Sequence, residues 1–301
     1  MVPENIHVAM MNLLWPRRGL SRQLFFDYWS GAHTQISSRL PGIHQYFQHH
    51  LDHTAGESFP ESASFPRASP ETPGFFGDAE ITFASAVDLT AFAVALDPLM
   101  ADEQNVFDKT ISYQALGENV RTAVDMQDDD SPNGDLGQCE KFMLYTRRRV
   151  DVSLSEFRAR IRDGLLDVLI ESGHVVKARV RLVEHYDNSA VTLSAPNVDN
   201  DEPDDSQIDA AIEVVFSSPS ARRSWGETPA ASTVARTLQE VARDVFPCRV
   251  LRTFTVYNHG QITLAGMRTP QMAAQIAAIG AINQSSAQTI ALMLGKHVQA
   301  D

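Results

Sequence analysis

Residues 41–51 read Pro41-Gly42-Ile43-His44-Gln45-Tyr46-Phe47-Gln48-His49-His50-Leu51. A Pro-Gly pair turns the chain, and the residues after it alternate like a strand. Ile43, Phe47 and Leu51 share one face, while His44, Tyr46, Gln48, His50 and Asp52 share the other. Moving 133 positions along places the first set on Val176, Val180 and Glu184. It places His44, Tyr46, Gln48 and His50 on Lys177, Arg179, Arg181 and Val183. Apolar mostly meets apolar and polar mostly meets polar, which is what two copies of one half-buried strand require.

Nearly the same offset recurs outward from this strand. Leu20-Ser21 with Phe25 opens one helical pattern, and Leu154-Ser155 with Phe157 opens another. Phe83-Ala84-Ser85 and Phe216-Ser217-Ser218 each end a strand. Of three loop-like stretches rich in Asp, Pro, Ser and Gly, at Thr54 to Gly77, Gln127 to Gly137 and Asp187 to Ser206, the first and third fall at the same place within each half. The middle one, with Asp128-Asp129-Asp130, divides the 301 residues almost equally, in line with the two units that length alone predicts.

Each half reads β-α-β-β-α-β. In the first, strands fall at Ile6 to Trp15, Ile43 to Leu51, Ala79 to Ala84 and near Val120 to Val124, with helices from Ser21 and Asp88. In the second, strands fall at Lys141 to Arg149, Val175 to Tyr186, Ile208 to Phe216 and Arg249 to Tyr257, with helices from Leu154 and Ser220. That order is the ferredoxin-like plait, one antiparallel sheet with both helices on one face. The bare face must be covered. The expected fold is therefore α+β: two ferredoxin-like repeats packed sheet to sheet as an intramolecular α/β barrel. Expected boundaries are 1–126 for the first repeat, 127–138 for an acidic linker, 139–260 for the second repeat and 261–301 for a C-terminal helical extension.

A formal net charge of −13 disfavours nucleic acid and anionic lipid as partners, since both recruit Lys and Arg. Cys139 and Cys248 make neither a disulfide framework nor a metal signature. Met1 to Asn5 lacks the basic start of a secretory leader, and the apolar stretch Gln271 to Leu294 is broken by polar residues too often to span a bilayer. A cytoplasmic protein is expected, with a homodimer through the C-terminal helix as a further expectation.

Leu20-Ser21, Phe25, Tyr28-Trp29 and His33, followed by Leu40-Pro41-Gly42-Ile43, resemble the opening of EthD-domain proteins of the dimeric α/β-barrel superfamily. Those proteins carry a strand, a helix with a Phe, Tyr-Trp and His pattern, and a Leu-Pro-Gly turn. The resemblance covers roughly residues 5–53, and more loosely the rest of the first half. A shift of 134 carries Tyr28, Trp29 and His33 onto Arg162, Asp163 and Asp167, so the second half lacks the motif. The resemblance implies the same barrel, normally made by two chains, with the second repeat here acting as the partner. It implies a choice of chemistries, from cofactor-free monooxygenases, cyclases, dehydratases and isomerases to haem enzymes.

Among the residues themselves, His33 is the expected general base or acid, because an imidazole gains or loses a proton near neutrality. Tyr28 precedes it by about a turn, and Trp29 shares its helix face at i, i+4. A lumen lined by His44, Tyr46 and His50 would orient an oxygenated substrate, and Arg179 and Arg181 would add positive charge for a carboxylate or enolate. Each has a plainer reading, as a core residue, a solvated strand face or an ion pair. His49 and His53 share one strand face and His50 the other, which makes a single metal site awkward. The dye-decolorising peroxidase pattern Gly-x-x-Asp-Gly is missing from Gly74 to Asp78. The leading expectation is a cofactor-independent lyase, dehydratase or isomerase acting on a small, largely apolar, oxygenated molecule. The alternatives are a haem-dependent oxidoreductase or lyase and a non-catalytic small-molecule binder.

Overall fold

Two serines mark the start of each repeat. The Ser21 side chain accepts the Leu24 N–H and caps one helix; Ser153 accepts the Glu156 N–H and caps its counterpart. They are 132 residues apart. The computed structural model describes residues 6–53, 74–126, 134, 136–189 and 195–295. Residues 54–73 of the loop expected at Thr54 to Gly77, and Asp128-Asp129-Asp130 with most of the linker, lie outside these residues.

The first repeat runs β1 (Val8–Pro16), α1 (Arg22–Tyr28), a π-helical turn (Trp29–His33), α2 (Thr34–Ser37), β2 (Gln45–Asp52), β3 (Gly77–Phe83), α3 (Ala86–Val94), α4 (Asp97–Val106) and β4 (Phe107–Leu116). A short β5 (Val120–Asp125) follows. The second repeats the plan with β6 (Glu140–Arg148), α5 (Leu154–Ala159), a π-helical turn (Arg160–Leu165), α6 (Leu166–Glu171), β7 (Val175–Leu182), β8 (Ala210–Phe216), α7 (Pro219–Gly226), α8 (Pro229–Val241) and β9 (Ala242–Asn258). After β10 (Gln261–Ile262) come the short helices α9 (Leu264–Arg268), α10 (Pro270–Ile279) and α11 (Ala287–Met293), several pieces where one helix was expected. Among the described residues no helix is long and apolar enough to cross a membrane.

The strands form an antiparallel path β4-β1-β3-β2-β9-β6-β8-β7-β5. Each repeat contributes four neighbours in the plait order. The 17-residue β9 joins them: Ala242–Val250 pairs with β6, and Arg249–Tyr257 pairs with β2. At the other end β5, which continues β4 after the turn Gly117–Asn119, pairs with β7. The path thus begins and ends on consecutive pieces of chain. One isolated bridge, Gln114 to Glu184, spans that point.

The fourth strand of the first repeat is therefore Phe107–Leu116, not the expected Val120 to Val124, which instead serves the other repeat. The expected Asp88 helix breaks after Val94 and ends at Val106. Three apolar clusters fill the molecule. One packs the first repeat's helices on its sheet, including Phe25, Trp29, Tyr46, Ile81 and Phe107. A second does the same for the other repeat with Phe157, Ile161, Leu165 and Trp225. The third lies between the sheets, with Met11, Leu13, Leu51, Ile111, Met143 and Tyr145.

Hydrogen-bond register corrects the repeat alignment. Thr82 pairs with Gln45 and Val215 with Lys177, each one residue before the closing Phe83 and Phe216. Gln45, Phe47 and His49 thus correspond to Lys177, Arg179 and Arg181, an offset of 132 rather than 133. A one-residue slip moves every side chain to the other face. So Tyr46, Gln48 and His50 face the helices, while Arg179 and Arg181 face the barrel interior.

Candidate functional site

The Leu-Pro-Gly turn fixes how the first helix returns to the sheet. Gly42 has φ +81°, and a Cβ there would lie 2.2 Å from the Asp88 carbonyl oxygen, so only glycine fits. Ser21 starts α1, and the five-residue π-helical turn that follows buries Trp29 and His33. A π-turn often marks a functional site. Here the second repeat has one at the same place, so it belongs to the plait.

His33 is 4% exposed and reaches across to α4. Its Nδ1 lies 2.9 Å from Asp102 Oδ2, while the Tyr28 hydroxyl donates to Asp102 Oδ1 at 2.7 Å. Asn105 Nδ2 donates to the same Oδ1 at 3.0 Å. The imidazole's hydrogen bond, ahead of those from Tyr28 and Asn105, holds the Asp102 carboxyl down at about 2 although partial burial opposes it. An ionised carboxylate can only accept. Nδ1 of the neutral ring must therefore carry the hydrogen, leaving Nε2 with its lone pair. Burial and then Asp102 raise the Tyr28 phenol, whose hydrogen is committed to that carboxylate. The ring edge of His33 meets Phe107 at 5.2 Å.

Next along α4, Glu103 accepts the Thr110 hydroxyl at 3.2 Å, and Asn200 Nδ2 donates to that hydroxyl at 2.8 Å. Burial pushes the Glu103 carboxyl up to about 7, against the Thr110 hydrogen bond and with help from Asp102. One helix thus carries two adjacent acids whose affinities for a proton are pushed apart, a recurring arrangement for proton transfer.

Behind His33 the layer is aromatic. Trp29 stacks on Phe25 at 5.8 Å and on His50 at 4.9 Å; His50 also stacks on Phe26 at 4.3 Å and meets Phe254 edge-on at 5.0 Å. Burial, then Arg252 and His49, lowers His50 to about 3, so it stays neutral, and its Nε2 has no hydrogen-bond partner. The Tyr46 hydroxyl accepts Gln48 Nε2 at 2.9 Å and Ser37 at 3.4 Å. His44 precedes β2 and makes its ring contact with His259 at 5.9 Å.

His33, Tyr28, Trp29, Tyr46 and His50 therefore share one layer between the first repeat's helices and its sheet. The barrel interior, where Tyr46 and His50 were expected, holds a different set. Arg179 Nη1 lies 2.6 Å from Glu80 Oε1, and Arg181 Nη2 lies 2.7 Å from Asp78 Oδ2. Tyr145 donates to the same Asp78 oxygen at 2.8 Å. Lys141 meets Glu213 at 2.5 Å. Burial alone would raise Glu80, but Arg179 and Arg181 hold it well below the usual carboxylate range. Three buried carboxylates thus face three buried cations. The charge on Arg179 and Arg181 is matched within the protein, on the opposite side of the sheet from His33.

Among the described residues no group of three or more His, Cys, Asp and Glu is arranged to hold a metal. Haem would need an axial nitrogen over an open face. His49 uses Nδ1 toward Thr253, and His53 lies between the Phe75 carbonyl and the Cys248 thiol. His50 is boxed by three rings, so these three do not fit the group. His33, with Nδ1 on Asp102, leaves Nε2 for either a substrate proton or an axial bond. Cys248, 3.1 Å from His53 Nδ1, has its thiol pushed well up by burial, which disfavours a thiolate nucleophile.

Asp102 and Glu103 are the residues that sequence reading missed. They lie 69 and 70 positions after His33, with no local spacing to link them. In the second repeat, the shared serine caps place Phe157 on Phe25, Ile161 on Trp29 and Leu165 on His33. The places of Trp29 and His33 are filled there by hydrocarbon, while that of Tyr28 falls on Arg160.

Residues 17–110 match the EthD domain, a span that holds Tyr28, Trp29, His33 and Asp102. No curated protein matches the chain in sequence. Among solved structures, a candidate monooxygenase from Fusobacterium nucleatum is 6% identical with a TM-score of 0.50, covering 86% of this chain and 97% of its own. An anthrone oxidase-like protein is 12% identical with a TM-score of 0.46, covering 85% and 95%. A candidate monooxygenase from Lactobacillus acidophilus is 10% identical with a TM-score of 0.46, covering 81% and 93%. At such identities likeness speaks to fold alone. Residues 17–110 are similar to an EthD domain, and they form the first of the two plaits from which this chain builds its own α/β barrel.

Proposed function

We propose that the first repeat is an acid–base catalyst for a small, largely apolar, oxygen-bearing molecule of aromatic or polyketide type. It would act as a lyase, dehydratase or isomerase without a resident cofactor. The observation that carries this reading is the Asp102–His33 pair, with its fixed tautomer, in an aromatic layer. Nε2 takes a proton from an acidic C–H or O–H of the substrate, and Asp102 stabilises the imidazolium that forms. The same proton then goes to a departing hydroxyl, which leaves as water, or to another carbon, which gives an isomer. Tyr28 positions Asp102. Trp29, Phe26 and His50 pack as the aromatic wall behind His33, and Tyr46 and the unpartnered His50 Nε2 offer polar contacts. Arg179 and Arg181 serve the barrel in this reading.

The test is a panel of oxygenated aromatic and polyketide-like compounds incubated with the protein and followed by mass spectrometry. Turnover should appear as loss of water or as an isomer. His33→Ala should reduce it at least about 100-fold, and Asp102→Asn should reduce it while leaving thermal unfolding near wild type. Unchanged turnover in His33→Ala defeats the proposal, as does tight ligand binding without product.

A further inference from the structure

Simple alternation along β9 would send Arg249 and Arg252 to opposite faces of the sheet. The register puts them on one. Arg249 stands opposite Asp52 and Arg252 opposite His50, and Asp52 and His50 share a face. The pairing slips between His50 and Leu51, so a bulge at Leu251 supplies the odd residue, a common device for re-aiming side chains. It falls where β9 passes from one plait to the other, since Arg249 and Val250 pair with β6 as well as with β2.

A cavity of about 530 Å³ opens beside this bulge, within the ~300–1,000 Å³ typical of small-ligand sites. Arg249, Leu251 and Arg252 line it from β9, and Leu136, Cys139 and Glu140 line it from the chain leading into β6. That chain is seated directly on the sheet: a Cβ on Gly134 (φ +86°) would lie 2.3 Å from Phe254 Cε1, so the position takes no side chain. Leu251, 38% exposed, and half-buried Leu136 give the cavity apolar surface.

Charge here runs against the rest of the chain. Buried Glu140 is shared by Arg222 Nε at 2.7 Å and Arg249 Nη2 at 3.3 Å, and Asp52 meets Arg22 at 3.2 Å. Arg252 is exposed and, among the described residues, makes no ion pair. Its charge acts on the sheet all the same, adding to burial in lowering His50. Four guanidinium groups thus meet two carboxylates, in a protein of net charge −13.

We infer that this cavity binds a small organic carboxylate. Arg252 meets the carboxylate with two parallel N–H groups, Arg249 adds a second positive charge, and Leu136 and Leu251 hold the apolar body. A monoanion suits the surplus better than a dianion, because Glu140 stands in the same wall and repels added negative charge. The inference uses neither His33 nor Asp102.

The structure supplies its own reporter. Cys139 lines the cavity and is partly exposed, whereas Cys248, the other cysteine, is buried. Naphthoate and decanoate should slow alkylation of Cys139 by iodoacetamide in the full chain and give binding heats by calorimetry. Their neutral amides should bind at least about 10-fold more weakly. Arg252→Gln should weaken carboxylate binding at least about 10-fold with an unchanged circular dichroism spectrum. Arg236→Gln removes an equal charge from an exposed position on α8 and should bind as wild type does, as should His33→Ala. No protection of Cys139 by either acid up to about 10 mM overturns the inference. So does undiminished binding in Arg252→Gln, equal binding of acids and amides, or an equal loss in Arg236→Gln, which would leave only net charge. Loss in His33→Ala would move the ligand to the aromatic layer and overturn it too. Tighter binding of naphthyl phosphate than of naphthoate would assign the cavity to phosphate esters instead. None of these readouts measures turnover, so they stand or fall apart from the catalytic reading.

Discussion

Replacing Glu103 with Gln should stabilise the protein, and mainly at higher pH. The carboxyl rises from its ordinary 4.5 to about 7 in the folded state, chiefly through burial. A group whose folded value lies above its unfolded one holds its proton more tightly in the native state. Below about 4.5 the group is protonated in both states and makes no difference. Through the window from 4.5 to 7 stability falls, and above it the full penalty remains. At 1.36 kcal/mol for each pH unit, that penalty is about 3 kcal/mol, reduced to roughly 2 by the partial exposure of the side chain. Gln keeps the acceptor for the Thr110 hydroxyl and cannot ionise. Urea unfolding of wild type and Glu103→Gln at pH 5 and pH 8 isolates the effect, because other titrating groups largely cancel between the two chains. With a slope near ~3 kcal/mol/M, the variant's midpoint should rise by roughly 0.7 M at pH 8 and by about a quarter of that at pH 5. An equal gain at both pH values would show that the carboxyl is not held neutral, and the paired-acid reading of α4 would fall with it.

Two further outcomes test the architecture. Arg181→Met leaves Asp78 buried with only the Tyr145 hydroxyl, and should cost about 3–5 kcal/mol by denaturant unfolding. Adding Asp78→Asn should recover much of that loss, and a single variant within about 1 kcal/mol of wild type would mean the interior charges are solvated. Gly77→Ala places a Cβ 2.8 Å from Trp29 Cζ3 and 3.2 Å from Leu14 Cδ1. It should cost about 1–3 kcal/mol and shift tryptophan emission, whereas unaltered stability and emission would show that Trp29 has room to move.

The fold was readable because its signals are periodic and local. Alternation in β2, the serine-capped helix starts and the repeated order of elements are all visible in a single sequence. The register was not, because the two repeats differ by a residue in loop length. A slip of one position exchanges faces, and with it the imagined lining of the barrel. That slip put Tyr46 and His50 among the charges of Arg179 and Arg181, when they belong with Trp29 and His33. The helix motif around His33 could be read, since its members lie within two turns. Asp102 could not, because only packing of α4 against the first helix brings it to the imidazole. The arginines' partners were hidden for the same reason: Asp78 and Glu80 lie in the other repeat.

Those ion pairs distinguish the chain from an assembly of identical subunits. In a symmetric pair, every substitution appears on both sides, so a surface can gain an acid only by meeting another acid nearby. Here Asp78 and Glu80 come from one plait and Arg179 and Arg181 from the other. Fusion frees the halves to diverge: one can keep a histidine where the other has Leu165, and one can turn acidic where the other turns basic. The interior then works as an address as well as a core, since two first repeats would set Asp78 and Glu80 against their own kind.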